Sequence, residues 1–493
     1  MPKVKPVVSL FSQCINCICR FKIYNIPVNA ELSNPHSIEQ RTDIKSDINP
    51  FPTIPTVLLE SIIKSLSNHK YLLTKTVTKH FNFEFLITAE LQKLIIPSWY
   101  HYNYDKFLNF SLKLEKLQVL VLQNSNIDNS CLKIIGTWCK NLRVLNVHDC
   151  NRLTDTGIEW LVLEPNELCK TLQELMVICP AVTKRGIKMA LQNCPALQIV
   201  ENEHTFDVLV EEAQSAAQAQ PHKFTSFAHL YIRSAGVYTS GQLGSVVRYC
   251  PSLVDIYIEI KTGLTDTDLF CLTSLKNLHT LKFIRHQSGS NRKEITFDKG
   301  LAPVLKVIGN SLKVLYLVYF EFIDIWTVVK FCPNLMSLTF DNHCQSLSAL
   351  SENEIIQLRH EKGRGYFQDL KILGGGFNLS NDILFGLLSC PLVENIYISH
   401  CDALTDDLLR EVVANGFLKN LQIVCLESCH SLTKQGLDAL VMNDNLLKQI
   451  RFLFCEKVTK NNVHDWHEIA KNKNWELFID FKNFGIANIT LDA

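Results

Sequence analysis

Apolar positions along this chain recur in one order. In "LRVLNVHDCNRLTDTGIEWL", Leu142 to Leu161, the run is Leu-x-x-Leu-x-Val, then Cys150, a short turn, Leu153 and Thr154, and a helix-like stretch holding Ile158 and Leu161. The order returns in "IYISHCDALTDDLLREVV" from Ile396, "VCLESCHSLTKQGLDALV" from Val424 and "IRFLFCEKVTKNNV" from Ile450. Cys150, Cys401, Cys429 and Cys455 share one slot, and Thr154, Thr405, Thr433 and Thr459 another. A second cysteine slot, at Cys139, Cys194, Cys250 and Cys332, lies three residues before a leucine. The leading leucines, among them Leu117, Leu142, Leu172, Leu197, Leu253, Leu278, Leu312, Leu335 and Leu421, are mostly 23 to 35 residues apart, often 25 or 26. Self-similarity at such a period marks a solenoid, in which each unit buries its apolar face by stacking on the next.

Each unit predicts a short strand and a returning helix. Alternation in apolar-x-apolar sends two side chains into the stack and leaves the middle one on the open face. The cysteine fills the turn as a small hydrophobe. The threonine suits a helix N-cap, its hydroxyl accepting from exposed backbone amides. Asp155, Asp266 and Asp406 in the first turn suit the helix dipole. The pattern covers residues 112–480 in about thirteen units. Those near Phe227, Leu370 and Leu447 are legible from their neighbours.

Composition narrows the function. The chain has 493 residues, 47% hydrophobic, enough for a large core. Its formal net charge is zero, which argues against a nucleic-acid partner, since phosphate binding leaves a basic footprint. Its apolar runs fall short of the roughly 20 residues that span a bilayer. Lys3 and Lys5 precede a stretch interrupted by Ser12, Gln13 and Asn16, unlike a secretory leader. The 18 cysteines are then expected to be reduced thiols in a cytoplasmic or nuclear protein.

Candidate chemistry weighs little against the repeat. Cys150 as nucleophile or ligand competes with its equivalents in the same slot, and His148 has no counterpart histidine. "ILGGGF", Ile372 to Phe377, lacks the spacing and lysine of a phosphate-binding loop and stands where a repeat turn belongs. Cys14, Cys17 and Cys19 in "CINCIC" have no second pair at metal-ligand spacing, and "HDWHE" at His464 has no following histidine. The expectation is no catalytic residue, no metal and no cofactor: a binding protein, not an enzyme.

The L-x-x-L-x-L core with its cysteine slots resembles the cysteine-containing leucine-rich repeat. That resemblance implies an α/β solenoid, a horseshoe with parallel strands on the concave face and helices on the convex face. Before it, residues 1–111 imply an all-α docking module. "SLFSQCINCI" places Leu10, Cys14 and Ile18 at i, i+4 and i+8, one stripe of a short helix in residues 1–28. It resembles the BC box that docks receptors on Elongin C. Residues 29–50 read as a polar linker. In "IPTVLLESII", within residues 51–111, Pro55 suits a first helical turn and Ile54, Leu58 and Ile62 share a face. This string resembles the following cullin box, and the order is similar to that of the Zyg-eleven/Zer-one receptors of cullin-2 ubiquitin ligases. Repeat-like sequence continuing to about residue 480 departs from that family's C-terminal armadillo-like domain. The stretch Ile54 to Leu86 equally resembles an F-box, which docks on Skp-one and cullin-1; there Ile54 replaces the leucine and the usual Trp is missing. Residues 481–493 form a C-terminal tail.

On either resemblance the repeats hold a protein substrate. The middle strand positions Asn146, Met176, Tyr231, Tyr257, Lys282, Tyr316, Thr339, Tyr397, Cys425 and Arg451 are the expected substrate-facing residues. Their tyrosines fit interface hot spots, and equally the strand preference of tyrosine.

Overall fold

The computed structural model describes residues 55–68, 87–96, 114–163, 167–216, 224–234, 238–260, 263–285, 295–320, 322–340, 351–362, 365–376 and 379–482. The chain divides into two compact units, one of residues 8–208 and one running on from Leu209. Repeats fill both.

The first unit carries β1 (Lys93–Ile95), β2 (Val119–Val121), β3 (Val144–Asn146), β4 (Glu174–Met176) and β5 (Ile199–Glu201). Neighbours in chain order pair in parallel, with Leu94, Leu120, Leu145, Leu175 and Val200 in one register. All five are buried to 0% exposure, so the apolar-x-apolar slots form a continuous column. The helices Asn129–Trp138, Asp155–Val162 and Lys184–Asn193 return between strands and bury Leu132, Ile158 and Ile187. The second unit repeats this through β6 (His229–Ser234), β7 (Asp255–Ile260), β8 (Thr280–Arg285), β9 (Val314–Val318), β10 (Ser337–Phe340), β11 (Ile372–Gly376), β12 (Asn395–Ser399), β13 (Ile423–Glu427), β14 (Gln449–Leu453) and β15 (Phe478–Lys482). Again each strand pairs in parallel with the next.

Three details differ from expectation. The pattern starts before residue 112: Leu91, Leu94 and Ile96 are buried and β1 pairs with β2. No cysteine or threonine follows that strand to advertise it. Thr154 is an N-cap position without a side-chain cap bond. Its hydroxyl instead accepts from Asn129 Nδ2 at 2.9 Å. Thr405, Thr433 and Thr459 do cap, accepting from Leu408, Gln435 and Asn462 amides. Finally, the first-turn aspartates serve the next repeat. Asp155 accepts from Thr183 N and Oγ1 at 2.7 and 2.6 Å, and Asp266 and Asp406 do the same for Thr296 and Thr433.

Cysteine follows the packing argument. Cys139, Cys150, Cys194, Cys250, Cys332, Cys401 and Cys429 are all 0% exposed. Burial pushes the Cys139, Cys194, Cys250 and Cys332 thiols up to about 12, away from the nucleophilic thiolate. The Cys150 thiol, also raised by burial, donates to the Leu122 carbonyl one repeat back at 3.2 Å.

Candidate functional site

The strand pleat and the register together build a row within each unit, on the face away from the helices. In the second unit Tyr231, Tyr257, Lys282, Tyr316 and Thr339 are direct cross-strand partners in succession. Gly374, Tyr397, Cys425, Arg451 and Asp480 continue the row. Their flanking residues point inward: Leu230, Ile232, Ile256, Ile258, Leu281 and Phe283 are at most 1% exposed. Tyr231, Lys282 and Tyr397 are exposed; Tyr257, Tyr316, Thr339, Cys425 and Arg451 are half-buried. In the first unit Asn146 and Met176 are paired neighbours and half-buried. Asn146 Oδ1 accepts from the His148 amide at 3.0 Å, so it also holds its own turn.

The sequence-derived row omits Gly374, whose strand lacks the apolar-x-apolar signature, Asp480, which fits that signature between Ile479 and Phe481 at the end of the repeats, and the rows beside it. His229 and Asp255 pair at 2.6 Å on one side of the tyrosines, Arg233 and Glu259 at 2.8 Å on the other. Between them the Tyr231 and Tyr257 rings lie 5.8 Å apart, tilted by 38°. Tyr257 donates its hydroxyl proton to Glu259 Oε2 at 2.9 Å, the same oxygen that receives Arg233. Burial, then this bond, pushes the Tyr257 phenol up to about 12, and it stays a neutral donor. The Glu259 bond likewise raises Arg233. At the far end Arg451 meets Asp480 at 3.0 Å.

Ile372–Gly376 is a strand and not the expected repeat turn; Phe377 lies outside the described residues. His148 faces Asp149 at 3.5 Å and Gln123 at 3.4 Å. No group of three or more metal-binding side chains occurs among the described residues, and no helix among them is long and apolar enough to cross a membrane.

Of the expected docking residues, Leu10, Cys14, Ile18 and Ile54 lie outside the described residues. Pro55 is exposed at the start of the helix Thr56–Asn68, Val57 is 71% exposed, and Leu58 is half-buried. Ile62, expected on the adaptor face, is 1% exposed along with Leu59 and Ile63. Glu60 of this helix accepts from the amides of Gln92 and Lys93 at 3.1 and 3.0 Å, covering the open edge of β1.

No family model matches the chain. It is similar to F-box/LRR-repeat protein 17 of Arabidopsis thaliana, 24% identical over 147 residues. The match takes in 28% of this chain and spans about a quarter, 24%, of that relative's length. Among solved structures it is similar to a chain in the crystal structure of the Rad7 and Elc1 complex in yeast, with TM-score 0.46 and 14% identity. That match covers 73% of this chain and 81% of the other. In-register parallel strands, a filled cysteine turn and a returning helix recur in both units. The fold is a leucine-rich-repeat solenoid.

Proposed function

We propose that this chain is a substrate-recognition subunit of a cullin–RING ubiquitin ligase. It holds a protein target on the open face of its repeats while its N-terminal helices bind an adaptor, either Elongin C with cullin-2 or Skp-one with cullin-1. The observation that carries the binding half is the row of tyrosines standing outward in strand register. Tyrosine supplies large, rigid contact area and is enriched where interface energy concentrates. The ligase half is supported by the F-box/LRR similarity and by Pro55, Val57 and Leu58 offered at the surface of the first described helix. The chain acts by proximity, with the transfer chemistry done by its partners, and works in the cytoplasm or nucleus.

A plain scaffold is the second reading. The burial of Ile62 and the Glu60 contacts favour it, because they give the helix a structural task as an end cap. Affinity purification of the full chain separates the readings. Elongin C with cullin-2, or Skp-one with cullin-1, supports the ligase; neither adaptor refutes it. Changing Leu10 and Cys14 together, against Pro55 and Leu58 together, tells which box docks. Tyr257→Ala, Tyr316→Ala and Tyr397→Ala combined should weaken target capture and leave the adaptor bound.

A further inference from the structure

The strands β6 to β9 carry a patterned charge. On β6 and β7 the polar groups satisfy each other: His229 with Asp255, and Arg233 with Glu259, which also takes Tyr257. What these pairs enclose is a neutral aromatic shelf, Tyr231 beside Tyr257. One strand further stands Lys282, exposed, in register with Tyr257 on one side and Tyr316 on the other. Strand β9, "VLYLV", offers it no acid. Among the described side chains of β6 to β9, Lys282 is the charged group that no neighbouring side chain engages by ion pair or hydrogen bond, whereas Asp255 is held by His229 and Arg233 by Glu259. An exposed ammonium flanked by tyrosines attracts an anion, and the rings beside it accept apolar contact.

Spacing selects the shape of the anion's carrier. Strands lie about 4.8 Å apart, so Lys282 is about 7 Å from the middle of the tyrosine pair. Residues i and i+2 of an extended peptide project to one side about 6.7 Å apart. We propose that this face reads an extended acidic peptide in which an aromatic or aliphatic residue and an aspartate or glutamate are separated by one position. The apolar side chain lies on Tyr231 and Tyr257, and the carboxylate meets Lys282. The proposal rests on the open face being the partner-binding surface, not on the ligase assignment.

The test is selection from a displayed library of random nonapeptides on the full-length chain. The wild type should enrich the apolar-x-acidic spacing. Lys282→Glu should replace the acidic preference by Lys or Arg and weaken a wild-type-selected peptide by about tenfold. Tyr231→Ala with Tyr257→Ala should erase the apolar preference and keep the acidic one. Lys282→Met, which keeps the stem, should lose the acidic preference without acquiring a basic one. Enrichment without acidic residues, an acidic preference that survives Lys282→Glu, or no enrichment at all overturns the proposal. So does binding that requires phosphoserine in place of the glutamate. Failure here leaves adaptor recovery untouched, and failure to recover an adaptor leaves this specificity standing.

Discussion

The contact between Asp155 and the next repeat is where stacking can be tested most directly. Asp155 accepts from Thr183 N at 2.7 Å, Thr183 Oγ1 at 2.6 Å and Gly186 N at 3.1 Å. Gly186 is a glycine for a matching reason: a Cβ there would sit 2.5 Å from Asp155 Oδ1. Asp155→Ala removes three charge-assisted acceptor contacts at a half-exposed site. Water replaces part of each, so the loss should be about 2 kcal/mol. Gly186→Ala alone gains about 1 kcal/mol of helix propensity against about 2 kcal/mol of overlap, a net loss of about 1. In the Asp155→Ala background the 2.5 Å overlap is gone and only Val182 Cγ1 at 3.3 Å remains close, so Gly186→Ala should stabilise by about 0.5–1 kcal/mol. The coupling in the cycle is then about 1.5–2 kcal/mol. The protein supplies its own control. In the preceding repeat Asn129 holds Thr154 N and Oγ1 at 2.9 Å each, with Gly157 under it. Asp155→Asn should therefore cost less than about 1 kcal/mol. Urea unfolding followed by circular dichroism, at constant slope, measures the set. Hydrogen exchange over the helix Lys184–Asn193 locates it. Additivity of Asp155→Ala and Gly186→Ala within about 0.5 kcal/mol would refute the clamp.

Three further outcomes follow from the same geometry. The Asp268 carboxylate, 8% exposed, accepts from Ser240, Gly241 and Thr265. Burial opposes its ionisation, but these bonds outweigh it and hold the carboxyl below its ordinary value. Its contribution should be full above the unfolded value, about pH 4, and fade as pH falls through the folded one; the gap between the urea midpoints of wild type and Asp268→Asn should narrow as pH falls below about 4. Gly375 has φ +144 and any Cβ would run into the Phe340 carbonyl, so Gly375→Ala should cost more than about 3 kcal/mol in thermal unfolding, against about 1 for Gly374→Ala. Iodoacetamide at pH 8 should leave Cys139, Cys194, Cys250 and Cys332 unmodified in the native chain and label them after unfolding, resolved by peptide mass spectrometry.

What was legible in the sequence is what recurs by itself in each repeat. Leu145, Val147 and Cys150 each satisfy a local rule, and all three are fully buried. The clamp was illegible because it joins residues a whole repeat apart: Asp155 already suits the helix dipole, Thr183 caps its own helix by accepting from the Arg185 amide, and Gly186 carries no local signal. Thr154 shows the cost of that shortcut, since its cap bond yields to Asn129. The open-face row was legible residue by residue from the pleat. Its alignment was not, because Tyr231 to Tyr257, Tyr257 to Lys282 and Lys282 to Tyr316 span 26, 25 and 34 residues while the strands stay in register. Extra length is absorbed outside the strand. The polar pairs flanking the tyrosines, His229 with Asp255 and Arg233 with Glu259, follow from register, and so were hidden with it.

That separation of tasks bears on how such a chain acquires a target. Stability resides in the apolar columns, the buried thiols and the carboxylate clamps on the helix side. The open face contributes ion pairs between half-exposed groups, each worth about 0–1 kcal/mol. Residues such as Lys282 and Tyr397 are therefore nearly free of any duty to the fold. On the proposed function, substitution there should change what is gripped long before it changes whether the solenoid stands. Asn146 is the instructive exception: its side chain closes the His148 turn, so of all the outward positions it is among the least able to vary for a partner's sake.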